Sequence, residues 1–523
     1  MIDDSLLIHR LHGPAQRPSR VQALIRFRNG ALIGIRAGAL VGAMLVGALL
    51  SAGCVLPPKE APHPQALDAG RVGLAGAAVA PSADDWWSSF EDPQLDGLIR
   101  RGLENSPTLA QARARVGAAV AQSDAAHSRL LPSASLDASA LYQRAPQEYV
   151  IPPPLAGHTF WMEQAGASLG WDLDFWGRQA DAVRGSRDLA AAAQLDEDDA
   201  RLMLAGAIAH AYIDLYRQNA LADIAVRSQA QRQNILEITR RRVKAGLDTQ
   251  LEVRQAEGQL PQARVAREQA QAAADLAVHQ LATLTGQGAD GYASIRPPSM
   301  RVDAALPVPT ELPINLLARR PDVQSARMTV DAADAQRRAA KAAFYPDVNL
   351  HALAGVAAFG MSNLVQWSAR GYGAGPFISL PLFDGGKLRA DYRGREAQLD
   401  SAIAGYDDTV LHAVQQTADQ ITGLDALARE RVDQQQTLEA NEAAYKLAEE
   451  RYRAGLASYL TVLNAETQVL GARQNMVDIL SSQAAARVTL LLAVGGSFDP
   501  RPAAAVAQAR DADAARHTPY SGN

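Results

Sequence analysis

The sequence predicts an α+β membrane protein in which very long helices carry a small set of membrane-spanning strands, the whole plan being written twice. Three observations carry this reading. Segments recur in order and at matched spacing along the 523 residues. Four stretches alternate apolar and polar residues over about ten positions or a little more, the length of a transmembrane β-strand. Two proline-free stretches run far beyond the helices of a compact domain.

The repeat is explicit. Pro107-Thr-Leu-Ala-Gln-Ala-Arg113 opens a helical stretch ending at Pro132, and Pro321-Asp-Val-Gln-Ser-Ala-Arg327 opens another ending at Pro346, with the same spacing of 25. Leu173-Asp-Phe-Trp-Gly177-Arg178 recurs as Leu382-Phe-Asp-Gly-Gly386-Lys387. Arg242-Val-Lys-Ala-Gly-Leu247, followed by Ala256-Glu257, recurs as Arg451-Tyr-Arg-Ala-Gly-Leu456, followed by Ala465-Glu466. A duplication of this length means two similar halves, each needing a neighbour to bury its apolar face.

The amino-terminal region has its own logic. Residues 1–53 hold six Arg and two Asp, so +4, and against −5 overall the rest of the chain carries −9. A mildly acidic body does not favour nucleic acid as a partner. Arg26, Arg28 and Arg36 precede the apolar run Ala37–Gly53, a positive region followed by a short greasy core. That run is signal-like and shorter than the ~20 residues a spanning helix needs. It ends on the chain's one cysteine, and Ser51-Ala-Gly-Cys54 resembles a bacterial lipoprotein cleavage box, with Ser51 where Leu is usual. A lone Cys in an exported chain has no internal disulfide partner. The reading is therefore a lipoprotein signal over 1–53 and a lipidated Cys54, carrying diacylglycerol and an N-acyl group, at the head of a Pro/Ala/Gly-rich tether over 54–85. Residues 1–25 exceed what a signal needs.

The elements follow in order. Pro107 suits the first turn of a helix and Pro132 stops it. Ala134, Leu136, Ala138, Ala140 and Tyr142 then alternate with Ser133, Ser135, Asp137, Ser139 and Gln143, a strand with one greasy face. After a loop the pattern returns with Trp161, Ala165, Ala167, Leu169, Trp171, Leu173 and Phe175 on one side, Glu163 being the exception. The second half repeats this with Val348, Leu350, Ala352, Ala354 and Val356, then Tyr372, Ala374, Ile378, Leu380 and Leu382. Tyr142, Tyr149, Phe160, Trp161, Phe359, Trp367 and Tyr372 gather near the loop ends, like an interfacial aromatic girdle. Any single strand also suits a soluble sandwich with one buried face. From Gly177 to Gly246, and again from Gly386 to Gly455, the spacing is 69 residues, ~100 Å if helical throughout. Each stretch turns at a Gly-Leu and returns as a second helix. The domains are thus a first repeat at 86–290, a linker at 291–315, a second repeat at 316–496 and a flexible tail at 497–523.

The residues quoted so far, with Asn105-Ser-Pro107, Arg319-Arg-Pro-Asp-Val323 and Tyr452-Arg-Ala-Gly-Leu-Ala-Ser-Tyr-Leu460, resemble the bacterial outer-membrane efflux proteins, the TolC-like channels, and among them the lipoprotein NodT-type branch of RND efflux systems. The resemblance spans residues 86–496. It implies a homotrimer in which each chain gives four strands to one outer-membrane β-barrel, set in outer-membrane lipid and continued by a helical barrel across the periplasm. It implies two partners, a periplasmic adaptor protein and an inner-membrane RND transporter. The residues agree with it, since four strands cannot close a channel and the chain must share its edges. The turns Gly246-Leu247 and Gly455-Leu456 resemble the tips that meet the adaptor, though helix capping alone also selects Gly there. Val414-Gln-Gln-Thr-Ala-Asp419 resembles the constriction segment at the closed tip, so Asp419, with Gln415 a turn before it, is the expected gate; the alternatives are a solvated residue on a helix face or a salt bridge within the helix pair. A carboxylate ring there favours cations.

Gly166-Ala-Ser168-Leu-Gly170 matches a nucleophile elbow but lies inside an alternating strand, where the required strand-to-helix turn is missing. Gly286-Gln-Gly288-Ala-Asp-Gly291 ends a helix where a dinucleotide loop would open one. The ten His lack metal-ligand spacing, so the expectation is no enzyme, no metal and no cofactor beyond the lipid. The function expected is a passive efflux duct. The alternatives are a periplasmic helical scaffold lipoprotein without a pore and a type I secretion duct.

Overall fold

The computed structural model describes residues 59, 62–80, 82–148, 152–303, 306 and 308–499. The expected lipidation site Cys54, the expected signal and most of the tail lie outside them. The chain is mostly helical with one small sheet. A 3₁₀ turn at Trp86–Phe90 leads to helices α1 (Pro93–Asn105) and α2 (Pro107–Ser128), then strands β1 (Ser133–Arg144) and β2 (Thr159–Asp172). Helices α3 (Arg178–Lys244) and α4 (Gln250–Leu284) complete the first half. After the linker come α5 (Pro321–Ala342), β3 (Asp347–Phe359), β4 (Arg370–Ser379), α6 (Lys387–Arg453) and α7 (Tyr459–Ala493). The helices pair in length: 22 residues for α2 and α5, 67 for α3 and α6, 35 for α4 and α7.

The strands form one antiparallel sheet in the order β1-β2-β3-β4. Its register lines up the four apolar faces: Leu136 lies opposite Ala167, Ala167 opposite Ala354, and Ala354 opposite Tyr372. Because side chains alternate at period two, this one register puts the expected apolar residues of all four strands on one side. That side is open to solvent in the single chain, with Leu136 79% and Tyr372 91% exposed. β2 stops at Asp172, short of the expected Phe175, because the chain turns at Leu173 and enters α3 through Gly177 in the left-handed region. β4 stops before Pro381, which has no amide hydrogen to give a ladder. Glu163 does lie on the apolar side, but it is buried and its Oε2 accepts from the Gly360 amide at 2.9 Å. The expected girdle divides. Tyr142, Trp161 and Tyr372 share the apolar face, whereas Phe160 and Phe359 lie on the opposite one, their rings 5.0 Å apart.

The core sits mid-length, where α1, α3, the end of α4 and α7 meet around Phe90, Leu95, Ile208, Tyr212, Leu281 and Leu491. Linker residues Ile295, Met300 and Leu306 pack into it, so this segment is an integral part of the waist. The expected tether is likewise docked over its described part. Leu74 is buried against Leu316, Leu490 and Val494, and Gly76 bridges to Pro313. A Cβ at Gly76 would stand 2.4 Å from the Leu312 carbonyl oxygen, so only glycine permits that approach.

Candidate conduit wall and tip latch

Three places on the chain have functional character: the sheet, its junction with the helices, and the far helical tips. The sheet separates two chemistries. Its second face carries Ser135, Asp137, Ser139, Gln164, Ser168, Asn349 and His351, with glycines 166, 170, 355, 371, 373 and 375 among them. A sheet that is apolar on one exposed side and polar on the other fits a wall between lipid and water.

The junction is built to keep the sheet and helices in fixed alignment. Arg178, at the start of α3, donates to Asp172 Oδ2 at 2.9 Å and to Asp347 Oδ2 at 3.1 Å, joining the ends of β2 and β3. The Trp176 ring stacks on Tyr345 and its Nε1 donates to the Pro346 carbonyl. Both long helices open in the same way: Asp174 accepts from the Ala180 amide and Asp384 from the Leu388 amide, each at 2.7 Å. A carboxylate at a helix amino terminus satisfies orphan amides and complements the dipole.

The tips are where the structure adds most. Gly246 and Gly455 both have positive φ, 68° and 82°. The Leu247 amide bonds to the Arg242 carbonyl and the Leu456 amide to the Arg451 carbonyl, the helix-ending motif that glycine allows. Leu247, Leu251, Leu456 and Leu460 are all well exposed around these turns. Behind them a polar cluster ties the two halves together. Arg242 is buried and grips Asp248 with two donors, at 2.8 and 3.1 Å. Its third nitrogen donates to the Tyr452 carbonyl at 2.5 Å, and its guanidinium lies 4.5 Å from the centre of the Tyr452 ring. The Tyr452 hydroxyl donates to Asp248 Oδ2 at 2.7 Å and stands 2.9 Å from Thr239 Oγ1. The Arg242 donors, helped by Tyr452, hold the Asp248 carboxyl below its usual range against the opposing effect of burial. Burial first, then the contact with Asp248, pushes the Tyr452 phenol up to about 12. A second buried pair lies further along, Arg232 to Glu466 at 3.0 Å, inside a shell that includes Tyr445 and Tyr459.

Sequence reasoning placed the four tip residues Gly246, Leu247, Gly455 and Leu456 correctly at the turns but missed this cluster. A signal for it existed: Asp248 and Tyr452 are points where the two repeats differ, standing against Ala457 and Val243. The expected gate needs a correction of place. Asp419 and Gln415 are exposed neighbours on α6, 3.4 Å apart, but they are not at the tip. Asp419 lies 32 residues from the start of α6 and 34 from its end, ~50 Å from either. It is level with the waist, near Gln416, which accepts from Arg320 at 3.1 Å. Among the described residues no His, Cys, Asp and Glu group forms a metal site.

With this geometry in hand, the likeness to known proteins is informative. The family model for outer membrane efflux proteins matches residues 98–287 and 312–496. The fusaric acid resistance protein FusA of Burkholderia cepacia is 36% identical over 380 residues, 70% of each chain. The antibiotic efflux pump outer membrane protein ArpC of Pseudomonas putida is 30% identical over 468 residues, 87% of this chain and 95% of that one. Among solved structures, the outer membrane protein VceC of Vibrio cholerae superposes with a TM-score of 0.76 at 32% identity, over 80% of this chain and 100% of the other. The Campylobacter jejuni outer membrane channel CmeC shares the fold, with a TM-score of 0.78 at 20% identity over 88% and 98% of the two chains. The matched segments cover most of both halves, and the chain belongs to the outer membrane efflux protein family.

Proposed function

We propose that the chain is the outer-membrane conduit of a multi-component efflux system, passing small molecules from the periplasm to the exterior without chemistry of its own. One observation carries this: a sheet with an exposed apolar face and two unpaired edge strands, rigidly joined to helices of ~100 Å. Lipid would cover that face, and copies of the chain would remove the edges. Three copies give twelve strands, a barrel wide enough to conduct. In it the polar face lines the lumen, and the helices continue the bore to the tips.

In this reading the tip cluster is the closure. Arg242, Asp248, Tyr452 and Thr239 hold the ends of α3 and α6 together, and opening separates them. The exposed leucines at Leu247, Leu251, Leu456 and Leu460, carried on Gly246 and Gly455, are the surface an adaptor protein would grip, and an inner-membrane transporter would supply the energy. Asp419 and Gln415 would line the wall at the waist. Cys54 would hold the amino terminus to the membrane through its lipid. The names of the relatives, which refer to fusaric acid and to antibiotics, point to organic small molecules as cargo.

The test uses the purified full-length chain. Unboiled gels should show a heat-sensitive trimer, and planar bilayers should show a small conductance that Asp248→Ala increases. A monomer that stays in solution without detergent and never conducts would favour the pore-free scaffold. Mass spectrometry on Cys54→Ser against the parent checks the lipid; equal masses, apart from the substitution, would remove that part.

A further inference from the structure

The two phenylalanines that left the expected girdle mark a feature of the other face. Residues on that face can be placed in rows from the register. One row consists of Leu141, Met162 and Phe359, since Leu141 lies opposite Met162 and Met162 opposite Phe359. Phe160 caps this row, with its ring edge-on to Phe359 at 5.0 Å, and Gln143 reaches Met162 Sδ at 3.7 Å. Two rows nearer the helices the same face reads Asp137, Gly166, Gly355 and Gly371, and the following row reads Ser135, Ser168, Leu353 and Gly373. Apart from Leu353 and, nearest the helices, Phe377, this face is small and polar until, within two rows, four large apolar residues stand together. The change falls at the loop end of the sheet, at the exit of the proposed conduit.

A core does not explain it. Leu141 and Phe359 are 51% and 47% exposed. Lipid does not explain it either, because these side chains stand on the side opposite Leu136, Trp161 and Tyr372. Large apolar side chains facing an aqueous lumen cost free energy unless they do something there.

We infer that Leu141, Phe160, Met162 and Phe359, three copies of each, form an apolar collar at the outer mouth of the lumen. This rests on the trimeric-conduit reading. A hydrophobic constriction disfavours hydrated ions, which must shed water to pass, and it gates by dewetting. Neutral aromatic or aliphatic solutes lose far less on entry, and the rings offer them stacking surface. The collar therefore favours outward passage of such cargo while resisting ion leak at the exit, independently of the tips.

Tip and collar lie in series along one path, so while the tip is shut its resistance hides the collar. The experiment places Phe160→Ser with Phe359→Ser in the tip-unlatched background Asp248→Ala/Tyr452→Phe and reads single-channel conductance of potassium chloride in planar bilayers. The collar predicts a further rise of about twofold or more over that background and almost none in the latched parent. Met162→Ser alone, a milder change at an already partly exposed position, should move conductance the same way by less. Unchanged conductance in both collar variants, with heat-sensitive trimers intact and the unlatched background conducting more than the parent, would overturn the collar and leave the conduit standing. Absence of conductance in every variant, the unlatched one included, would end both.

Discussion

Helices α2 and α5 are the same element by sequence, 22 residues each and each opened by proline, yet the structure treats them differently. α5 buries seven residues, among them Val323, Ala332, Ala335 and Arg337, while α2 buries only Leu109 and Ser123. The long helices show the opposite contrast: α3, of the first half, buries 21 of its residues and α6 nine, with Leu411, Val432 and Leu447 left exposed on α6. Composition does not cause this. α5 lies between α3 and α6, whereas α2 packs mainly on α3 alone. The first half lacks on its outer side what the second half supplies on its inner side. The difference has the form of a missing neighbour, and in the proposed trimer a second copy's α6 against α2 and α4 would supply it. Such a head-to-tail contact closes into a ring when the rotation allows.

The sheet turns this comparison into a numerical prediction, the largest in effect. Within the chain β1 to β2 and β3 to β4 share one register: Ser133 opposite Gly170 becomes Asp347 opposite Ser379 when the repeat shifts of 214 and 209 residues are applied. The inner seam pairs Ser168 with Leu353. Carried forward by the same shifts, it places Phe377 of one copy opposite Ser139 of the next. Cysteines at these two positions, directly opposed across an antiparallel pair, are within disulfide reach. Oxidation of Phe377→Cys/Ser139→Cys should convert most of the chain into covalent trimers on reducing-agent-free gels. Phe377→Cys/Ala138→Cys, which puts the thiols on opposite faces, should not. Linking by the shifted pair, or open ladders beyond three, would break the equivalence of the two seams.

The tip latch is the second difference between the halves, since it needs both Asp248 and Tyr452 while their repeat partners are Ala457 and Val243. Asp248→Ala leaves Arg242 buried without its carboxylate, a loss of about 3–5 kcal/mol for a buried pair. Conductance should rise several-fold as the tips part, and Tyr452→Phe should give a smaller rise because the guanidinium pair survives. If both variants conduct like the parent, the closure lies elsewhere, and Asp419 at the waist becomes the next position to change.

Acid should do the same reversibly. The folded pKa of Asp248 is depressed, so its contribution is fully present above the ordinary carboxylate value near 4 and is lost as pH falls through the lower, folded value. Parent conductance should stay flat from neutral pH down to about 4 and climb below it, while Asp248→Ala shows no such step. Tyr452 works in the opposite direction. Its raised pKa adds stability that is present below the ordinary value near 10 and lost as pH rises through about 12, so the phenol stays neutral throughout the range in which the protein is used.

How much of this was legible in the sequence depends on range. The strands, the long helices and the glycine turns follow from periodicity and local stereochemistry, which a few consecutive residues decide. Their faces were legible too, except at Phe160 and Phe359, where aromatic character suggested the lipid side and parity puts them on the opposite face. The latch joins residues 204 positions apart, and only its departure from the repeat betrays it. The docked segment around Leu74 and Gly76 was hidden by a composition that suits a free linker, because its anchors, Pro313 and Leu316, lie far along the chain. The place of Asp419 was countable, since equal helix lengths on either side put it midway. Family likeness to a tip segment outweighed that arithmetic.

The smallest effect compares the two helices that leave the tips. Thr249 caps α4 through the Leu251 amide, and Glu252 reaches back to the Thr249 amide at 2.9 Å, so the cap is reciprocal. At the repeat position α7 has Ser458 with Thr461 in place of the glutamate. Ser458 accepts from the Thr461 amide at 3.3 Å, and the two hydroxyls meet at 3.1 Å, but no carboxylate returns the bond. Losing a cap costs about 1 kcal/mol, and a reciprocal one sits toward the upper part of that range. Thr249→Ala should therefore lower the thermal midpoint of the trimer slightly more than Ser458→Ala, with the order checked by circular dichroism in matched detergent. Because the Thr249 cap adjoins Asp248, its loss should also raise conductance a little, while Ser458→Ala leaves conductance unchanged. The reverse order would mean that the second tip, not the first, holds the latch in place.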